Sequence, residues 1–168
     1  MTDPATHIAL VNILKLHQLN FQLVPEFLEH NHSDIEGLNW EEVKFNSGNK
    51  INVPDERGLY AFTVRSSKLG LPKHGYIMYI GMTGNTGSST LKKRFSNYLT
   101  DKEAATVKRP KVYEMLTRWE TALYFQFTTV SDTSTDLRDL EKRLNDIFQS
   151  PCATQDFTAN VRKARMAF

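Results

Sequence analysis

Residues 58–65, Gly-Leu-Tyr-Ala-Phe-Thr-Val-Arg, and 76–82, Tyr-Ile-Met-Tyr-Ile-Gly-Met, are two runs dense in aromatic and aliphatic side chains. Between them lies Ser66-Ser67-Lys68-Leu69-Gly70-Leu71-Pro72-Lys73-His74-Gly75, a stretch of turn formers. Aromatic and β-branched residues fit a pleated surface, and the Gly/Pro/Ser connector interrupts it. The pair therefore reads as an antiparallel hairpin with a long loop, and this hairpin constrains the fold more than any other part of the chain.

Beyond the hairpin the apolar residues take up a helical period. Leu91, Phe95 and Leu99 mark the buried side of one helix, and Val112–Trp119 reads as a second, after Pro110. Residues 122–130 are a further strand candidate. Ser134-Thr135 then caps a helix whose stripe is Leu137, Leu140, Leu144, Ile147 and Phe148, stopped by Pro151. The order ββααβα implies an α/β (α+β) fold: a small, mainly antiparallel three-stranded sheet flanked by helices. Upstream, Asp3-Pro4 reads as an N-cap with proline in the first turn, and Leu10, Val11, Leu14 and Phe21 predict a helix over roughly 4–20 that packs on a core. From Glu26 to Gly48 the chain is acidic and irregular. Two regions result: a helical, acidic extension over 1–56 and a main domain over 57–168 with a basic tail.

Composition narrows the setting. At 168 residues and 40% hydrophobic, the chain suffices for one domain with a real core. Cys152 is the only cysteine, which excludes an intramolecular disulfide, and no Cys/His set has zinc-finger spacing. The start lacks a basic and then apolar leader, and no apolar run approaches the ~18 residues of a membrane span. The expectation is an intracellular, reducing location: cytoplasmic, or nuclear in a eukaryote. The net charge of +2 hides an asymmetry, because residues 1–57 hold 4 Lys/Arg against 9 Asp/Glu while 58–168 hold 17 against 10. Only the second part suits a polyanion.

Several side chains in that part suit chemistry. Tyr60 and Tyr79 sit beside glycines at strand ends, where a ligand or backbone can come close; the bland reading is two core tyrosines with satisfied hydroxyls. A free tyrosine titrates near ~10, so a base role requires nearby positive charge. Arg94 is placed to supply it, and Tyr98 at i+4 shares its flank. A forked guanidinium suits a phosphoryl oxygen gaining charge, although a basic helix also carries plain surface arginines. Glu141 has Leu137, Leu144 and Phe148 as its i−4, i+3 and i+7 neighbours, so it borders the apolar stripe and needs a divalent cation or an arginine as partner. Asn145 is assigned to the polar face. The glycine-rich run 81–89 lacks the Gly-Lys-Ser/Thr ending of a nucleotide loop, and His30-Asn31-His32 lacks further metal ligands.

In order and context, Gly58-Leu59-Tyr60, Tyr79-Ile80-Gly81, the Arg94 helix, Glu141 and Asn160 resemble the GIY-YIG nuclease family over roughly residues 57–162. The resemblance implies a DNA endonuclease that hydrolyses phosphodiester bonds with one Mg²⁺ or Mn²⁺. Tyr60 would be the general base or its relay, and Tyr79 would position water and phosphate. Arg94 would stabilise the pentacovalent phosphorus, Tyr98 would stand one turn beyond it, Glu141 would bind the metal, and Asn160 would orient Glu141's surroundings or a phosphate. The cations expected on DNA are Lys92, Lys93, Lys108, Arg109, Lys111, Arg162, Lys163 and Arg165. With no zinc finger or helix-turn-helix in the chain, a homodimer or a partner protein would supply target recognition. Two rival readings stand beside this one: a catalytically silent nucleic-acid-binding module of the same fold, and a protein-interaction domain using the acidic segment.

Overall fold

Four strands make one sheet in the order β1-β4-β2-β3, every neighbour antiparallel. The computed structural model describes residues 3–29, 33–66 and 75–167. Three helices come first, α1 (Pro4–Leu16), α2 (Pro25–Leu28) and α3 (Ser33–Glu36), and then β1 (Glu41–Lys44) and a 3₁₀ turn over Ser47–Asn52. The hairpin strands are β2 (Gly58–Val64) and β3 (Tyr76–Thr83); residues 67–74 of their connector, like His30-Asn31-His32, lie outside the described residues. After them come α4 (Leu91–Glu103), α5 (Pro110–Arg118), β4 (Leu123–Thr129), α6 (Leu137–Phe148) and α7 (Ala159–Arg165).

The expected three strands become four because Glu41–Lys44 pairs along β4, Glu41 opposite Phe127 and Lys44 opposite Tyr124. The sheet thus draws on both sides of the boundary expected at 56/57. The guanidinium of Arg65 lies 4.0 Å over the Tyr124 ring and pairs with Glu42, which fastens the acidic edge strand across β4.

β2 has neighbours on both sides and is buried from Gly58 to Thr63. Alternation divides its side chains: Tyr60 and Phe62 join Phe125, Phe95, Tyr98, Met115 and Leu116 on one face, whereas Leu59 and Ala61 meet Leu137, Leu140 and Leu144 of α6 on the other. Each fully buried phenylalanine or leucine contributes about 1.5–3 kcal/mol. Gly58 is fixed by space, since a Cβ there would run into the carbonyl of Thr128.

Two expectations need correction. α1 is a helix, capped by the Asp3 carboxylate on Ala5 N at 2.9 Å, but it ends at Leu16 and buries none of its residues. α6 is capped by Asp136 on Arg138 N and by Asn85 Oδ1 on Leu137 N, not by Ser134-Thr135, whose hydroxyls bond Asp132. Its buried side is Leu137, Leu140, Glu141, Leu144 and Asn145, and Phe148 is 38% exposed. Phe148 keeps the angular position of the stripe but is the last residue of the helix, and Asn145, i+4 from Glu141, takes a buried place beside the stripe.

Candidate active site around the outer edge of one strand

β3 is an edge strand, and its outward backbone groups find partners from the C-terminal third of the chain. Cys152 N donates to Met78 O at 3.0 Å, Asn145 Nδ2 reaches Ile80 O at 3.4 Å, and Met82 N donates to Glu141 Oε1 at 3.1 Å. Covering the edge removes a pairing hazard. It also carries Glu141 around the strand to the residues that α4 brings from the other face.

Gly81 is the hinge of this arrangement. A Cβ on it would stand 2.8 Å from Cε2 of Tyr60 and closer still to Cζ and the hydroxyl oxygen, so glycine alone lets Tyr60 lie flat against β3. The Tyr60 ring stacks on Phe125 at 5.3 Å and its hydroxyl bonds that of Tyr98 at 2.8 Å. Two arginines flank Tyr98 in turn: Arg109 Nη1 donates to its hydroxyl at 3.3 Å, and the guanidinium carbons of Arg109 and Arg94 are 4.9 and 5.9 Å from its ring centroid. Tyr79, at the rim, has its ring 6.4 Å from that of Tyr60. Arg94 is half-buried and its Nε is a buried donor without a partner among the described residues.

The electrostatics follow from burial. Tyr60 is held well above the ordinary phenol value by desolvation and then by Tyr98 and Tyr79, and Arg94 offsets only part of the rise. Desolvation raises Tyr79 in the same way, with Tyr98, Asp156 and Glu141 adding to it. Both are neutral hydroxyls at pH 7, so Arg94 does not by itself make a phenolate. Glu141 is pushed up to about 7, first by burial and then by Asp156, against the Met82 N–H, Arg94 and Arg138, which favour its charged form. Asp156 is also raised by desolvation, with Arg109 and Arg94 opposing. Arg94 is raised, first by Tyr60 beside it.

Tyr60, Tyr79, Arg94, Tyr98 and Glu141 thus form one cluster. Asn160 does not join it: it is exposed on the first turn of α7. The asparagine beside Glu141 is Asn145, fully buried, with Nδ2 also on Glu141 O at 3.1 Å. Its i+4 spacing from Glu141 was the available signal. Asp156, in the loop before α7, carries no periodic signal at all.

The expected DNA cations divide. Lys108, Arg109 and Lys111 line a cavity of about 370 Å³ together with Tyr79 and Asp156. Arg109 is turned inward, its Nη2 paired with Asp101 at 2.7 Å. Lys92 and Lys93 lie on α4, where Lys93 Nζ bonds Ser88 O at 3.2 Å. Arg162 and Lys163 are exposed on α7, while Arg165 lies 4.3 Å over Phe157 and bonds Gln149 and Gln22.

Among the described residues no three His, Cys, Asp or Glu side chains stand together as a metal-binding group. Nor is any described helix long and apolar enough to cross a membrane. No family model, curated protein or solved structure matches the chain.

Proposed function

We propose that the chain is a metal-dependent DNA endonuclease of the GIY-YIG type. The observation that carries the reading is the gathering of two motif tyrosines, Arg94 and a desolvated Glu141 around the outer edge of β3, beside a cavity rimmed by Lys108, Arg109 and Lys111.

Glu141 fits a hard divalent cation. Mg²⁺ keeps most of its waters and takes one or two carboxylates plus phosphate oxygens, so it does not require a cluster of three protein ligands. A buried carboxylate pushed up to about 7 gains from a neighbouring positive charge, and Asp156 is the second carboxylate acting on it. Bound there, the ion would supply positive charge to the phosphate as it develops negative charge.

The protein's own groups do the rest. Arg94, with a donor not yet used, stabilises the phosphoryl oxygens as they gain charge. Tyr79, at the rim, orients the attacking water. Tyr60 and Tyr98 stand behind it as linked, fully buried neutral hydroxyls that hold Tyr79 and Arg94 in position. Lys108 and Lys111 hold flanking phosphates. Water adds to phosphorus and the bond to the leaving sugar oxygen breaks; the water's hydroxyl stays on phosphorus and the proton it releases is taken up by the leaving oxygen.

The test is incubation with plasmid, branched and single-stranded DNA in Mg²⁺, Mn²⁺ or EDTA. Cleavage that EDTA abolishes is expected. Salt-dependent DNA binding with no cleavage in either metal would replace this reading with the silent binding module.

A further inference from the structure

A hollow of about 680 Å³ lies where the end of α1 and the segment after it meet α5 and α7. Between Asp3 and Glu26 the chain has no acidic residue, so the wall this segment gives the hollow carries Lys15 and the amides of Gln18 and Asn20 without a carboxylate. The segment is held in place. Arg118 Nη1 donates to Leu16 O at 2.9 Å, His17 Nε2 lies 3.2 Å from Arg118 O, and Gln22 Oε1 accepts from Arg165 Nη1 at 2.8 Å. Two further cations line the same space, Lys111 in the first turn of α5 and Arg165 at the end of α7. Glu114, three residues after Lys111 on the same flank of α5, is the one carboxylate among the lining residues, and Arg118 Nη1 pairs with it at 3.4 Å. Half-buried Trp119 adds an aromatic wall. Three cations, an indole and two amides thus border one concave space whose only acid is already matched.

The hollow adjoins the site already described, because Lys111 and Cys152 line both it and the cavity of Tyr79 and Asp156. We propose that it receives an unpaired DNA strand running on from the cleavage cavity, with a base against Trp119 and successive phosphates on Lys111, Lys15 and Arg165. Charge and shape favour this occupant. Positive groups beside an aromatic side chain are the pairing that holds single strands without regard to sequence. A duplex keeps its bases stacked inside and shows a protein only phosphates and groove edges, so it cannot set a base into a concave space, whereas an unpaired strand can. A free mononucleotide concentrates its charge at one end. The cations here are spread over α1, α5 and α7, which matches a run of phosphodiesters. The site therefore selects DNA with a single-stranded branch or tail, and it gives α1 and the segment after it a place in substrate binding.

The inference rests on the nuclease reading for the strand that enters, but its test is a binding measurement in EDTA, where no cutting is expected. Trp40 and Trp119 are the two tryptophans, so Trp40→Phe in the full chain leaves Trp119 as the only indole reporter. Its emission is followed while a single-stranded oligonucleotide of about 12 residues, a blunt duplex of the same sequence, or a mononucleotide is added. The single strand should quench Trp119 and bind about 10-fold or more tighter than the duplex. Lys15→Ala changes an exposed side chain. It should weaken single-strand binding about fivefold near 0.1 M salt and lower the slope of log affinity against log salt by about 0.7, with duplex binding unchanged. Trp119→Leu should weaken single-strand binding by about 10-fold, read by anisotropy of a labelled strand. Far-UV circular dichroism reports whether that variant folds, and Lys15→Ala decides the matter if it does not.

Equal affinity for single strand and duplex overturns the proposal, as does a single strand that leaves Trp119 emission unchanged or a Lys15→Ala protein that binds it like wild type. A mononucleotide that binds as tightly as the oligonucleotide also overturns it, and would make the hollow a small-molecule site. The two readings fail separately. A chain that binds the unpaired strand here and cuts nothing in Mg²⁺ or Mn²⁺ loses the nuclease reading and keeps this site, whereas one that cuts DNA with no preference for the unpaired strand keeps the nuclease reading and loses the site.

Discussion

Gly81→Ala is the sharpest probe of how the site is built. The new methyl would sit 2.8 Å from Cε2 of Tyr60 and nearer to Cζ and the hydroxyl oxygen, whereas ordinary Cβ contacts begin at 3.4 Å. Tyr60 cannot yield freely. It stacks on Phe125 at 5.3 Å and lies edge-on to Phe62 and Tyr98 at 6.4 and 5.8 Å. Overpacking of this kind costs about 1–3 kcal/mol, and loss of the Tyr60–Tyr98 hydrogen bond adds about 1 kcal/mol. A total of about 2–4 kcal/mol should lower the melting temperature by roughly 5–15 °C in a chain of this size. Urea unfolding monitored by tryptophan fluorescence and circular dichroism measures it. Gly87→Ala is the control, because a Cβ there meets nothing within 4 Å and should change stability by less than ~0.5 kcal/mol. In a Tyr60→Leu background, which lacks the three atoms the methyl would strike, the cost of Gly81→Ala should nearly vanish. A Gly81→Ala protein as stable as wild type would refute the packing argument.

Other outcomes rest on the electrostatics. Glu141 has a folded pKa of about 7 against an ordinary value of 4.5, so between these limits the unfolded state gives up its proton first and stability falls as pH rises. The penalty, of order 2–3 kcal/mol, is absent below about pH 4.5 and complete above about pH 7, and Glu141→Gln should flatten the curve, as read by urea midpoints from pH 4 to 8. Arg94→Ala should lower the single-turnover cleavage rate by about 100-fold or more, with Arg94→Lys a poor substitute because a point charge cannot reproduce the fork. Lys108→Ala and Lys111→Ala should each weaken DNA binding and reduce the slope of log affinity against log salt by about one, measured by fluorescence anisotropy.

The parts of the molecule that could be read from sequence are those where one pattern dominates. β2 and β3 are nearly continuous apolar runs, α4 shows Leu91 and Phe95 of its buried side, although Tyr98 and not the expected Leu99 completes it, and the motif glycines mark where the Thr128 carbonyl and the Tyr60 ring come close. β1 could not be read, because Glu41-Glu42-Val43-Lys44 has a single half-buried residue; register against β4 and the Arg65–Glu42 pair make it a strand, and both are tertiary. Glu141 was legible as a carboxylate beside an apolar stripe. Asn145 shares its flank and was hidden only by its polarity. Asp156 sits in a loop without period, and Arg109 looks like any exposed cation until its contacts with Tyr98 and Asp101 are seen. The covering of the β3 edge by residues 141, 145 and 152 joins segments some sixty to seventy positions apart, a relation that local pattern does not carry.

The most direct measurement of the central claim compares wild type with Glu141→Gln in one single-turnover experiment, following cleavage of labelled DNA in Mg²⁺ alongside equilibrium DNA binding. Wild type should cut and stop in EDTA, and Glu141→Gln should bind DNA as tightly or more tightly, since a carboxylate is removed from beside the phosphates, while its cleavage rate falls by at least ~1000-fold. Cleavage by Glu141→Gln at the wild-type rate would contradict the account.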